Sequence, residues 1–176
     1  FRIERCKIAR FSGTGVMLSR VWCFSIRQCM VAYNGGDGVR CLGWDGFILD
    51  NWFSGNGKAG YGAYGPNASI TMTGNRVEWN RRYGLILKGG GHYNITGNYF
   101  DRTSGPAIAL LRREKAPPSR KSRRRIFSCS MNVLTNDKAS SRDLEAWFVA
   151  LGAQELHVAI RARTGVFEID GGGDGV

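Results

Sequence analysis

Two carboxylates, Glu78 and Asp101, stand 23 residues apart, with Trp79 directly after the first and Arg102 directly after the second. Paired acids are the working groups of glycoside chemistry: one moves a proton, the other attacks or steadies charge, and a separation near ~5 Å is that of a retaining pair. An aromatic ring stacks on a sugar and a guanidinium pairs with a carboxylate, so Arg102 suits catalysis and Trp79 suits substrate binding. Glu4, Arg27 and Asp50 follow one another at the same interval with alternating sign, which makes Asp50 a further substrate-binding candidate. A solvated edge carries such ion pairs too, at ~1 kcal/mol or less each. The chemistry therefore depends on whether the chain repeats every 23 residues, because only then do these side chains stack.

The repeat is present. Thr73-Gly74-Asn75-x-Val77 returns as Thr96-Gly97-Asn98-x-Phe100. Steps of 23 from Phe1 reach Phe24, Phe47, Ile70 and Tyr93. Parallel series run through Ile3, Ile26, Leu49, Met72 and Ile95, and through Ile8, Val31, Ser54, Val77 and Phe100. Gly15, Gly38 and Gly84 form another, with Gly60 and Gly105 slipped by one and two residues. Within each unit apolar and polar residues alternate, break at Gly or Asn, and alternate again, which is the period of half-buried strands. The Leu spacing of leucine-rich repeats is absent. Stacking each unit on the last, strand over parallel strand at ~4.8 Å, gives an all-β parallel β-helix of about five coils over residues 1–111. Asn75 and Asn98 then sit at a corner where a buried amide bonds to the next coil, and Gly74 and Gly97 supply the unusual backbone angles of the bend. Asn80 is expected on an exposed loop.

The stretches "ITGNYFDRTSGPAIAL" and "MTGNRVEWNRRYGLIL" resemble the right-handed parallel β-helix repeats of the pectate-lyase-like superfamily. The resemblance implies a right-handed solenoid with ~23-residue coils. It also implies a carbohydrate-active domain, a lyase or hydrolase of an acidic polysaccharide, working outside the cell or in its envelope. A Ca2+ ion is allowed by the same resemblance, although no cofactor is evident in the residues. The alternative is a non-catalytic β-helix, a glycan-binding, adhesin or phage-tail-type stalk.

Other features narrow the function classes. The net charge is +11, but eight Lys/Arg and one Glu between Arg112 and Arg125 supply +7 of it. Clustered in a Pro-containing run, these read as a basic loop rather than a nucleic-acid interface. Residues 126–176 read as further rungs, with Asn132 a corner, then a short helix in "SSRDLEAWFVALGAQEL", or an irregular tail. "GNGKAG" matches a dinucleotide fingerprint, but "YGAYGPN" after it cannot open the helix that fingerprint needs. Asp37, in "NGGDGV", reads as a turn residue. Five cysteines argue against a disulfide framework, and Cys6 and Cys29, one period apart, read as stacked buried thiols. His92 and His157 lack ligand-spaced companions, so no zinc site is expected. Sequons at Asn67 and Asn94 matter only on a eukaryotic secretory route. No apolar run reaches the length of a membrane helix, and the start at Phe1, in mid-repeat, reads as a fragment.

Overall fold

The computed structural model describes residues 1–65, 69–88 and 92–111 in full, and the backbone of the strands at 126–135, 148–150, 155–162 and 165–169. The basic run 112–125, Asn67 and most of the helix expected after residue 140 lie outside the described residues.

Each coil contributes three short strands. The first coil holds β1 (Arg2–Glu4), β2 (Lys7–Ala9) and β3 (Val16–Leu18). The second holds β4 (Trp22–Arg27), β5 (Met30–Ala32) and β6 (Val39–Cys41). The third holds β7 (Trp44–Leu49), β8 (Trp52–Ser54) and β9 (Ala59–Ala63). Next come β10 (Ile70–Thr73), β11 (Arg76–Glu78) and β12 (Tyr83–Leu87), then β13 (His92–Thr96), β14 (Tyr99–Asp101) and β15 (Ile108–Leu110). All pair in parallel with their equivalents one coil away, forming three faces: β1-β4-β7-β10-β13, β2-β5-β8-β11-β14 and β3-β6-β9-β12-β15. The chain is an all-β parallel solenoid with coils of about 23 residues, as the repeat requires.

A further rung follows. The strand β16 (Ile126–Thr135) pairs with β13 through Ser130 and with β14 from Val133. Asn132 falls between those two ladders, at the register position of Asn98. Phe148–Ala150 forms a strand, β17, against β15, so this part of the expected helix extends the third face instead. The last strands are β18 (Glu155–Ala162), parallel to β16, and β19 (Gly165–Ile169), antiparallel to β18.

The interior is filled by one side chain per rung in each column. On the first face Ile26, Ile48, Met72 and Ile95 are fully buried, and on the second Val31, Phe53, Val77 and Phe100. Burying a side chain of this kind is worth ~1.5–3 kcal/mol, and in-register stacking repeats that gain in every coil. Here the uniform step of 23 needs correction. The third coil starts one residue early: Phe24 pairs with Gly46 rather than Phe47, Ile26 with Ile48 rather than Leu49, and Val31 with Phe53 rather than Ser54. Steps of 22 and then 24 restore the register at Ile70. Gly46 has a packing reason, since a Cβ there would run into the Phe24 ring. Phe47 consequently points out and is exposed.

Two corners hold the coils together. At the first, Asn51 donates from Nδ2 to Asn75 Oδ1 (3.0 Å) and Asn75 does the same to Asn98 Oδ1 (2.8 Å). Each also donates to a carbonyl of the preceding coil, Ile26 O and Ile48 O, at 2.8 Å. The corner expected at Asn75 and Asn98 is therefore a continuous amide ladder. A second ladder runs through Asn34, Asn56 and Asn80 with Nδ2–Oδ1 distances of 3.0 Å. Asn80 is fully buried and donates to Phe53 O, so it belongs to this ladder and not to an exposed loop. Beside it Gly15, Gly38, Gly60 and Gly84 stack, because a Cβ at any of them would press on backbone oxygen or ladder amide of the next coil. Gly105 stands outside that column, whose place is taken by Ala107.

Candidate functional site

The residue before each Asn of the ladders, and its equivalent in the coils where Cys6, Cys29, Phe11 or Thr103 takes the place of Asn, adopts a left-handed backbone. At the first corner these are Arg5, Gln28, Asp50, Gly74 and Gly97; at the second, Arg10, Tyr33, Gly55, Trp79 and Arg102, all with φ between 45° and 71°. Three sequence candidates, Asp50, Trp79 and Arg102, thus owe their positions to the bends. A left-handed residue turns its side chain outward at a ridge, and a non-Gly residue there costs ~1–2 kcal/mol.

Between the two ridges runs the second face. Its inward column is Val31, Phe53, Val77 and Phe100. Strand alternation turns the residues on either side outward, which gives one column of Trp52, Arg76 and Tyr99 and another of Ser54, Glu78 and Asp101. Glu78 and Asp101 are directly paired across β11 and β14, with strand spacing of ~4.8 Å. The expected outward pairing of the acids holds, but their exposure does not. Glu78 is 5 % exposed and Asp101 4 %, because the neighbouring columns rise around them.

The walls of this groove alternate rings and guanidinium groups. Arg76 lies 4.7 Å from the Tyr99 ring centre and 6.0 Å from that of Trp52. On the opposite ridge Arg102 lies 4.8 Å over Trp79, which is half exposed. Tyr33 leans over Gly55 on the same ridge, where a Cβ would meet its ring. The floor is tied to these walls. Trp52 Nε1 donates to Glu78 Oε1 at 2.6 Å, and Arg76 Nη2 reaches Glu78 Oε2 at 3.3 Å. Arg102 Nη1 is 3.6 Å from Asp101 Oδ2. Each carboxylate has its own guanidinium.

Four of the five sequence candidates, Glu78, Trp79, Asp101 and Arg102, are brought together here. Asp50 is not among them: it stands on the other ridge, four residues before Ser54 and so roughly 10 Å or more from the acid column by strand rise. Nor does it share a column with Glu4 and Arg27, which pair at 3.9 Å, because Arg27 faces Leu49. Trp52, Arg76 and Tyr99 are functional candidates that the sequence reading missed. They line up only at steps of 24 and 23, and the uniform step hid them.

A second polar cluster lies outside the third face. Asp37, buried in its turn, accepts from Ala59 N at 3.1 Å and from the Tyr64 hydroxyl at 3.1 Å, with Arg40 at 3.6 Å. Arg40 also covers the Tyr64 ring at 4.2 Å. Burial first and the Asp37 charge second push the Tyr64 hydroxyl well above its ordinary pKa, which keeps it a donor. Both Asp37 oxygens are engaged, so the cluster braces the turn. "GNGKAG" leads into strand β9 rather than a helix. Cys6 is exposed and Cys29 buried, and both are free thiols, so the stacked pair is buried at one member only. Burial raises the pKa of Cys29. Among the described residues no group of three or more His, Cys, Asp or Glu side chains could hold a metal. Glu78 and Asp101 are only two, each already engaged by a guanidinium, and do not fit a Ca2+ ion that takes six to eight oxygens. No helix among the described residues is long and apolar enough to cross a membrane.

Three parallel faces, amide ladders at two corners and an aromatic-walled groove across successive rungs define a β-solenoid that carries its candidate site on one flat side. The chain belongs to the family described as the right handed beta helix region, whose model matches residues 1–136. No curated protein and no solved structure matches the chain.

Proposed function

We propose that the second face is a glycan-binding surface. One observation carries this reading: rings and guanidinium groups alternate along both walls of a groove that crosses successive rungs, at Trp52, Arg76 and Tyr99 on one side and Trp79 and Arg102 on the other. Rings suit the apolar faces of sugars, and a groove along the solenoid suits a linear polymer, whose units meet the same chemistry every ~4.8 Å. Such a partner implies work outside the cell or in its envelope. The experiment is binding of the whole chain to a panel of soluble polysaccharides, with Trp52→Ala and Trp79→Ala each expected to weaken capture about tenfold or more. Unchanged affinity in both variants would sink the assignment of this face.

A lyase or hydrolase of an acidic polysaccharide is the second reading, favoured by the direct pairing of Glu78 with Asp101. It asks Glu78 to give up Trp52 and Arg76 before it can move a proton, so it ranks behind binding. If turnover occurs, Glu78→Gln or Asp101→Asn should lower it by at least the ~10²-fold expected for a general acid or base. Binding without release of new reducing ends or unsaturated products leaves the adhesive reading alone.

A further inference from the structure

We propose that the acidic end of the groove takes an uncharged, hydroxyl-bearing sugar unit, and that Asp101 Oδ1 accepts one of its hydroxyl protons; this rests on the glycan-binding reading above. Phe100 fills the core, so alternation along β14 turns Asp101 outward into the groove. Asp101 is nonetheless 4 % exposed, and while its Oδ2 faces Arg102, its Oδ1 has no hydrogen-bond partner among the described residues. A carboxylate oxygen shut away from water without a donor is unfavourable, and a ligand that brings the donor relieves it.

The neighbours decide which donor fits. Glu78, beside it in register, has both oxygens engaged, one by Trp52 and one by Arg76. With Arg102 on Asp101, the floor carries two negative and two positive groups and is neutral in sum. A uronate would have to draw a guanidinium from its carboxylate while adding a third negative charge beside two. An ammonium would add a third positive charge beside Arg76 and Arg102. A hydroxyl does neither: it donates to Oδ1 while its ring rests on the half-exposed Trp79. At this subsite a neutral unit is therefore proposed, against the acidic glycan that the resemblance implies.

The test is calorimetric titration of the whole chain with cello-, malto- and mannohexaose, against polygalacturonate and chitosan oligomers as charged rivals. At least one neutral hexasaccharide should bind more tightly than either rival, and Asp101→Asn should weaken it about tenfold or more, the worth of one hydrogen bond to a charged group. Neutral binding that Asp101→Asn leaves unchanged overturns the acceptor role. Tighter binding of a charged rival, still lost in Trp79→Ala, overturns the sugar class but leaves the face a glycan site. If no probe binds, the glycan reading falls and this inference with it. Should Asp101→Asn not fold, the per-O-methylated form of the bound hexasaccharide, which lacks donors, answers in its place: equal affinity overturns the proposal.

Discussion

From Ile26 to Val31 is five residues, as from Ile48 to Phe53, Met72 to Val77 and Ile95 to Phe100. From Val31 to Val39 is eight, as from Phe53 to Tyr61, Val77 to Leu85 and Phe100 to Ile108. The turn closing each coil behaves otherwise. Leu18 to Phe24 spans six residues, Cys41 to Gly46 five, Ala63 to Ile70 seven, Leu87 to Tyr93 six, and Leu110 to Phe127 seventeen. All length variation among the five coils, and the whole basic run, falls in that third turn. The corners are invariant because each buries an amide or glycine that must meet its counterpart one coil away. An extra residue there would turn every following side chain to the wrong face. The third turn has no such ladder among the described residues, and loop length alone costs little.

The largest expected effect sharpens that contrast directly. Deleting Gly74, a corner residue, should abolish cooperative folding, since β11 and all that follows would slip by one. Deleting Ala68, in the seven-residue third turn, should shift the urea midpoint by less than the equivalent of ~1 kcal/mol, as it restores the commoner length. Comparable losses in both deletions would mean that the turn is constrained like the corners.

Next come the ladders. Asn75→Ala and Asn80→Ala should each destabilise by about 1–3 kcal/mol, because each leaves a buried amide and carbonyl of the preceding coil unpaired. Asn94→Ala, on an exposed outward position of β13, should stay within about 0.5 kcal/mol. Chemical denaturation of the three variants ranks them, and an Asn80→Ala as mild as Asn94→Ala would remove the second ladder from the account.

Smaller effects separate backbone strain from packing at the first corner. Gly97 has a φ of 65° and open space where a Cβ would go, so Gly97→Ala should cost ~1–2 kcal/mol from conformation alone. Gln28 stands exposed at the same corner with a φ of 52°, so Gln28→Gly should be neutral or stabilise by up to ~1 kcal/mol. Thermal unfolding of both reads the strain with opposite signs. A clear loss of stability in Gln28→Gly would mean that its side chain, and not its backbone, matters there.

The groove was legible in part. Glu78 with Asp101, and Trp79 with Arg102, are 23 residues apart, so the uniform step found both pairs and the adjacency of their columns. It could not find Trp52 above Arg76, because the second coil is one residue short and the third one residue long. The two deviations cancel over two coils, so the uniform step is right in the outer coils, while in the third it puts Phe47, Leu49 and Ser54 in the columns that Gly46, Ile48 and Phe53 occupy. Gly60, slipped by one against its column, was the visible trace of that shift, and Phe53 was the better core residue than Ser54 on chemistry alone.

The sequence by itself determined the architecture: alternation marks the strands, the recurring interval stacks them in parallel, and Thr-Gly-Asn marks the bend, all of which depend on short-range pattern repeated along the chain. It did not determine burial of the outward carboxylates or the partners that hold them. Alternation says only on which side of a strand a residue lies. How deep Glu78 and Asp101 sit depends on the height of the neighbouring columns, Trp52, Arg76 and Tyr99 on one side and Trp79 and Arg102 on the other, and on the left-handed bends that aim the ridge residues. The Trp52–Glu78 bond and the stacks of Arg76 on Tyr99 and Arg102 on Trp79 join residues more than twenty positions apart, and only the closed solenoid brings them together.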